Sequence, residues 1–109
     1  MKNYALKWLT QRITASILIP LTFWFIYSAI SLSKMAYYEI EIFFQSYLNA
    51  FLFFIMMQSM LLHSKLGIQT IIEDYVTSKK TAKFIKVCIN YLIYLFMILI
   101  TINMLRMVL

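Results

Sequence analysis

The chain contains one histidine and one glycine, and the two stand four residues apart at His63 and Gly67. Asp74 and Tyr75 follow in the same segment. In an α-helix, four residues advance ~40° past a full turn, and eleven return to within ~20° of the starting direction. His63, Gly67 and Asp74 would therefore share one helix face, with Asp74 ~16 Å further along the axis. A metal ligand, a gap in the side-chain wall and an acid beside a phenol suit a buried flat cofactor with a redox or proton site just beyond it.

His63 and Gly67 each have two interpretations. A neutral imidazole can ligate haem iron while its other nitrogen makes a hydrogen bond, or it can simply hydrogen-bond between helices. A haem with two histidine ligands would need the second from another chain, because this chain has no other histidine. Gly67 would leave room for the cofactor, or would let two membrane helices approach closely without one.

The remaining candidate residues are Asp74, Tyr75 and Arg12. Tyr75 could donate a hydrogen bond to a quinone carbonyl, with Asp74 orienting it or relaying protons, since quinone reduction consumes two protons. The alternative is an ordinary solvated helix end. Arg12 is either a positive anchor at the membrane surface or a bidentate partner for a carboxylate such as a haem propionate.

Other chemistry is not indicated by the sequence. Cys88 is a single cysteine, which excludes a disulfide within the chain and a CxxC site. We find no glycine-rich phosphate loop, serine nucleophile constellation or cluster of metal ligands. We therefore expect that the chain is not an enzyme by itself.

Composition assigns the chain to the membrane. Hydrophobic residues make up 63% of its 109 residues and charged residues 13%, against about 25% charged in soluble proteins. Three segments, 13–33, 42–72 and 87–105, exceed or approach the ~20 apolar residues that cross a bilayer. We predict an all-α membrane protein, a single domain over 1–109 with three transmembrane helices. Polar residues in hydrocarbon should face protein or cofactor, and the second helix carries a polar stripe of Gln45, Asn49, Ser59 and His63. The third helix shows a weaker pattern that includes Asn90, Tyr94 and Thr101.

Positive charges predict the orientation, because the loops on the inner side of a membrane are rich in Lys and Arg. The N-terminus and the loop between the second and third helices should therefore lie inside. This rule also explains the net charge of +6, so no nucleic-acid partner is needed. The inner positive residues are Lys2, Lys7, Arg12, Lys65, Lys79, Lys80, Lys83 and Lys86.

Two motifs give the chain a family resemblance. They are Arg12-x-Thr14-Ala15 at the start of the first helix and His63-x-x-x-Gly67-x-x-x-x-x-x-Asp74-Tyr75 at the end of the second. With the three-helix layout, the inward N-terminus and the chain length, they resemble the small membrane-anchor subunit of succinate dehydrogenase, respiratory complex II. The second motif is fairly specific, whereas the first is short.

The resemblance implies a role for each of these residues. His63 would be one axial ligand of a haem b, and the larger cytochrome b anchor subunit would supply the other. Arg12 would lie near the haem propionates, Gly67 beside the haem, and Tyr75 would bind ubiquinone with Asp74 next to it. Such an anchor holds the iron–sulfur and flavoprotein subunits at the membrane, where electrons from succinate pass to the quinone. Lys65 either snorkels to the membrane surface or meets a propionate.

Two alternative functions remain. One is a haem-free structural small subunit of a respiratory membrane complex, in which His63 only makes hydrogen bonds. The other is a small cationic pore-former or transporter partner, which would require a polar stripe on two or three helices.

The compartment is suggested by composition. The chain is rich in Ile, Phe, Tyr, Lys, Asn, Met and Leu and nearly lacks Gly and Pro, as AT-rich coding produces. It starts without an Arg- and Ser-rich transit region. We expect the mitochondrial inner membrane with the N-terminus on the matrix side; the alternative is a bacterial plasma membrane with the N-terminus in the cytoplasm.

Overall fold

The computed structural model describes residues 4–109, which form four α-helices. Three of them are long and apolar enough to span a membrane: α1 (Tyr4–Leu32), α3 (Tyr47–Tyr75) and α4 (Lys79–Val108). The fourth, α2 (Tyr37–Gln45), is short and lies between α1 and α3. This confirms the prediction of an all-α membrane protein with three helices of membrane-spanning length. Lys2, counted above among the inner positive charges, lies outside the described residues.

The helix bounds differ from those expected from hydropathy. The second segment, expected to be one helix over 42–72, is divided between α2 and α3, because Ser46 adopts an extended conformation with φ −66° and ψ 126°. The apolar run passes through this break without a Gly or Pro, so hydropathy alone does not reveal it. The first and third helices extend well beyond 13–33 and 87–105 at their inner ends. Ser78 caps α4, its Oγ accepting a hydrogen bond from the backbone N–H of Thr81 at 3.3 Å.

The long helices are about 44 Å in length at 1.5 Å per residue. The hydrocarbon core of a bilayer is only about 30 Å thick. Charged residues are confined almost entirely to the ends of these helices. The helix ends therefore reach the headgroup region. One end of the molecule, the inner end, contains the start of α1, the end of α3 and the start of α4.

Packing centres on α3. This helix packs against both α1 and α4, which scarcely contact each other, and α2 rests on α3 and α4. At the opposite end of the molecule, the outer end, aromatic rings connect α2 to α1 and α3. Trp24 of α1 stacks on Phe43 of α2 with centroids 6.3 Å apart. Phe44 of α2 meets Phe53 of α3 edge to face at 5.0 Å. Such aromatic pairs add packing energy beyond the area they bury.

A row of polar pairs, which we call the α3–α4 seam, joins α3 to α4. Along α3 its members are spaced by seven, four and four residues, and the same spacings run in reverse along α4, as antiparallel helices in fixed register require. Four side-chain hydrogen bonds connect the two helices, with donor–acceptor distances of 2.7 to 3.2 Å. The pairs are Gln58 with Thr101, Lys65 with Tyr94, Gln69 with Asn90, and Glu73 with Lys86.

Candidate functional site at the inner ends of α1 and α3

The two sequence motifs meet in space at the inner end of the molecule. The antiparallel packing of α1 on α3 places Thr14 beside His63, with 3.1 Å between Thr14 Oγ1 and His63 Nδ1. Thr14 is only 5% exposed, whereas His63 is half-buried. The short first motif therefore contributes a direct contact to the histidine of the second, although 49 residues separate them along the chain.

The Thr14 hydroxyl is itself held by its own helix. Its Oγ1 lies 2.8 Å from the backbone oxygen of Thr10 and 3.1 Å from that of Gln11. Such a back-bond is the usual arrangement of a threonine inside a helix, where one χ1 rotamer brings the hydroxyl to a carbonyl of the preceding turn. His63 thus contacts a side chain whose position is already fixed by α1.

Gly67 lies on the face of α3 that packs against α1. A Cβ added there would meet the side-chain Nε2 of Gln11 at 4.0 Å, which is an ordinary van der Waals contact. The chain's own packing therefore does not require glycine at this position. The space left by the missing side chain lies one helical turn from His63 and is bounded on α1 by Gln11.

Arg12 and Asp74 line one cavity of about 440 Å³ between α1 and α3. The Arg12 guanidinium lies 6.0 Å from the centroid of the Trp8 ring, which is the outer limit for a cation–π contact. Both charge signs are represented in the lining. It consists of Tyr4, Lys7, Trp8, Gln11, Arg12, Leu66, Gln69, Thr70, Glu73 and Asp74.

Tyr75 does not line that cavity. It is the last residue of α3, and its side chain is 80% exposed. The structure therefore brings together His63, Gly67, Arg12 and Asp74 along the inner part of the α1–α3 contact, and leaves Tyr75 at its edge. Any group bound by the Tyr75 phenol would have to be held largely by residues of another chain.

Lys65, for which snorkelling or a propionate contact is expected, contacts Tyr94 within this chain. Its Nζ donates a hydrogen bond to the Tyr94 hydroxyl at 2.8 Å and lies 4.6 Å from the centroid of that ring. A hydrogen-bonded amine beside an aromatic face is a stable way to place a lysine near hydrocarbon. Within the described chain, Lys65 is thus a member of the α3–α4 seam.

Sequence reasoning missed three contributors to this region. The sequence places Thr14 in a motif but does not identify it as the partner of His63, and it predicts no role for Gln11 or Gln69. Gln69 is 8% exposed and donates to Asn90 at 2.7 Å. The matched spacings of polar residues on α3 and α4 were the available signal for Gln69, since buried amides need partners. No comparable signal existed for Thr14, because its partner lies on a helix far along the chain.

The chemistry available to this arrangement is metal ligation through one histidine. Residues 4–109 contain no cluster of three or more His, Cys, Asp or Glu side chains able to hold a metal ion. A haem iron needs only axial ligands from protein, so one imidazole from this chain and one from a neighbour would be sufficient. The half-buried His63 ring, with one nitrogen bonded inside the chain and the other available, fits such a ligand.

Comparisons with known proteins identify a family for this chain. Neither individual curated proteins nor solved structures give a significant match to this chain. The family described as succinate dehydrogenase/fumarate reductase transmembrane subunit matches residues 3–105, which is nearly the whole chain. The chain belongs to this family, and it is a membrane subunit of the succinate dehydrogenase/fumarate reductase type.

Proposed function

We propose that this chain is the small anchor subunit of a succinate:ubiquinone oxidoreductase, that it helps bind haem b and ubiquinone, and that it docks the iron–sulfur and flavoprotein subunits. Family membership supports the general role. The observation that carries the specific one is the 3.1 Å contact of Thr14 with His63, because it joins the two motifs in one site.

In this proposal, His63 supplies one axial ligand to haem b and the large cytochrome b anchor subunit supplies the other. Its Nδ1 faces Thr14, which leaves Nε2 as the nitrogen for iron. Gly67 would lie beside the haem, and Arg12 would offer its guanidinium to the propionates. When bound, the haem would supply a one-electron redox centre.

Ubiquinone would bind at the inner surface beside Tyr75. The exposed phenol can donate a hydrogen bond to a quinone carbonyl. Reduction of a quinone to a quinol takes up two protons, and Asp74 lies in a cavity that also contains ionisable Glu73, Lys7 and Arg12. We assign Asp74 the transfer of protons from that cavity toward the quinone.

In the proposed assembly, electrons enter from the inner side of the membrane. The lysines at the start of α4, Lys79, Lys80, Lys83 and Lys86, would lie on that face with the start of α1. The iron–sulfur and flavoprotein subunits would dock there, in the mitochondrial matrix or, for a bacterial protein, in the cytoplasm. Electrons from succinate would then reach the quinone without crossing the bilayer.

The test is a reduced-minus-oxidised optical spectrum of the complex purified through a tag on this chain. We expect a b-type haem band in the wild type that is lost or shifted in His63→Ala. Gln58→Ala is the matched control, because Gln58 is a polar residue of the same helix bonded to α4 rather than α1. Succinate oxidation measured with a soluble dye shows that the mutant complex has assembled. A wild-type complex without the band would contradict the haem assignment.

The haem-free structural subunit is a second candidate. It is compatible with the same contact, because the Thr14–His63 hydrogen bond by itself satisfies a polar group between two membrane helices. In that case the His63→Ala complex would keep its redox spectrum, and the variant would only be less stable.

A further inference from the structure

The hydrogen-bond partners of the Thr14 hydroxyl indicate which ring nitrogen of His63 carries the proton. Three atoms surround Thr14 Oγ1: the Thr10 carbonyl oxygen at 2.8 Å, the Gln11 carbonyl oxygen at 3.1 Å and His63 Nδ1 at 3.1 Å. A hydroxyl has one proton to donate and two lone pairs to accept with. Both carbonyls can only accept, and the shortest contact is to one of them. The hydroxyl proton therefore belongs to the Thr10 carbonyl, and Nδ1 must carry a hydrogen that it donates to Oγ1.

The tautomer of His63 follows from this donation. A neutral imidazole has one N–H and one bare nitrogen, and the hydrogen bond made by one nitrogen sets the state of the other. With hydrogen on Nδ1, Nε2 has a free lone pair. Only a nitrogen with a free lone pair can ligate a metal ion. The opposite tautomer would place a hydrogen on Nε2 and block it.

The hydrogen bond between His63 Nδ1 and Thr14 Oγ1 is shielded from water. Thr14 is 5% exposed, and its side chain is held by α1 itself. Because the hydroxyl sits on a β-branched residue with a restricted χ1, losing its bond to His63 would require a rotamer change against the helix. The bond therefore also limits rotation of the imidazole ring.

We propose that Thr14 is a positioning residue for His63, fixing the Nδ1–H tautomer and presenting Nε2 as the ligating atom. The assignment of iron as the target rests on the proposed function. The tautomer does not, since it follows from contacts within this chain.

The single histidine allows a direct test of the tautomer. The full chain would be labelled with ¹⁵N in its imidazole ring, produced in a host that makes no haem, and measured in lipid bilayers by solid-state NMR. With one histidine in the chain, the spectrum contains one pair of ring nitrogens. We expect Nδ1 protonated and Nε2 unprotonated. Hydrogen on Nε2 in the wild type would overturn the proposal.

Three variants of α1 separate the hydroxyl from the packing. Thr14→Val keeps the shape and removes the hydroxyl, and we expect it to shift the tautomer toward Nε2–H, whereas Thr14→Ser should retain Nδ1–H. Thr10→Val is the matched control, because the Thr10 hydroxyl bonds only the Leu6 carbonyl of its own helix. An unchanged tautomer in Thr14→Val would also overturn the proposal.

The ligating role is tested in the assembled complex. Loss of an outer partner of a metal-bound histidine commonly weakens metal binding 10- to 100-fold. We expect haem retention to fall by such a factor in Thr14→Val and to recover in Thr14→Ser. The haem midpoint potential should rise in Thr14→Val, because an acceptor on Nδ1–H makes the imidazole more basic and favours ferric iron. Equal haem affinity and potential in Thr14→Val and wild type would refute the ligating role.

The two proposals fail in distinguishable ways. A wild-type complex without haem would overturn the haem site and the iron-directed part of this inference. The NMR measurement would still decide the tautomer, because it uses haem-free protein.

Discussion

At the scale of single residues, the side chains of the inner end divide by where their partners lie. His63 has one nitrogen bonded inside the chain, to Thr14, and Arg12 and Asp74 line a cavity formed by α1 and α3. Tyr75 is instead 80% exposed, and Gly67 meets α1 only at the Gln11 side chain. Replacing Tyr75, or replacing Gly67 by alanine, should therefore affect binding and assembly more than the fold of this chain.

Tyr75→Phe should reduce quinone reduction without affecting haem. A hydrogen bond to a bound ligand contributes about 1 kcal/mol, so its loss should lower succinate:ubiquinone activity about five- to tenfold. Dye-linked succinate oxidation, which bypasses the quinone, should be unchanged. The measurement is the ratio of the two activities in membranes.

The control for this prediction is Tyr37→Phe. Tyr37 has nearly the same exposure, 77% against 80%, but begins α2 at the opposite end of the molecule. A ratio equal to wild type in Tyr75→Phe, or an equal loss in Tyr37→Phe, would argue against a quinone contact at Tyr75.

Gly67 can be tested with a graded pair of substitutions. Within this chain an alanine Cβ meets only Gln11 Nε2 at 4.0 Å, so Gly67→Ala should fold, with a gain in helix propensity of about 1 kcal/mol. Gly67→Leu would place a large side chain one turn from His63 and against Gln11. We expect haem content per complex, read from the optical spectrum, to fall severalfold in the leucine variant. Full haem content in Gly67→Leu would argue against a haem beside this position.

At the scale of elements, α3 joins the other helices by two different kinds of contact. Toward α1 it presents His63 and the small Gly67 surface, while toward α4 it presents the polar residues of the α3–α4 seam. In a membrane, apolar side chains pack about as well against lipid as against protein, so polar pairs and small residues determine which helices associate and in what register. The seam therefore fixes α4, and α1 is positioned by contacts that also form the candidate site.

The pair Gln69 and Asn90 should show measurable coupling. A double-mutant cycle with Gln69→Ala and Asn90→Ala should give about 0.6 kcal/mol, up to about 1.7, as membrane hydrogen bonds do. The measurement is the free energy of unfolding of the purified complex in mixed micelles. A second cycle pairing Gln45→Ala with Asn90→Ala should show no coupling, because Gln45 is exposed on α2. Zero coupling for Gln69 and Asn90 would mean that the seam does not fix the register.

At the scale of the whole molecule, the chain buries little of itself. Among the described residues no large side chain is less than 2% exposed, and the buried hydrophobic residues number six. α1 and α4 flank α3 without closing into a bundle. Most of the apolar surface must therefore be covered by lipid and by other subunits, as expected for a member of a multisubunit membrane family.

The orientation of the chain can be measured with cysteine labelling. In a Cys88→Ser background, which removes the only cysteine, one new cysteine is placed at Lys34 after α1 or at Ser78 before α4. The positive-inside rule predicts that a membrane-impermeant maleimide labels Lys34→Cys in intact mitoplasts or spheroplasts, and Ser78→Cys only after permeabilisation. The reverse pattern would place the candidate quinone and haem residues on the opposite side.

The sequence by itself determined the class, the number of long helices and the two motifs. Apolar runs of membrane length show directly in hydropathy, because hydrocarbon excludes charge over a fixed thickness. The spacing of His63, Gly67 and Asp74 also follows from helix geometry alone. The break at Ser46 was not visible, since a serine between apolar residues is compatible with a continuous helix as well as with a turn.

Only the tertiary structure decided which helix meets which, and through which atoms. The contact of Thr14 with His63 depends on the rotation and depth of α1 against α3, and the pairs of the seam depend on the register of α4. Periodicity places a residue on a face of its own helix but does not identify the neighbour of that face. Membrane helices that are apolar all round give little further guidance, because lipid and protein surroundings are nearly equivalent for them. The proposal for the tautomer of His63 therefore rests on the packing of α1 on α3 and could not come from the sequence.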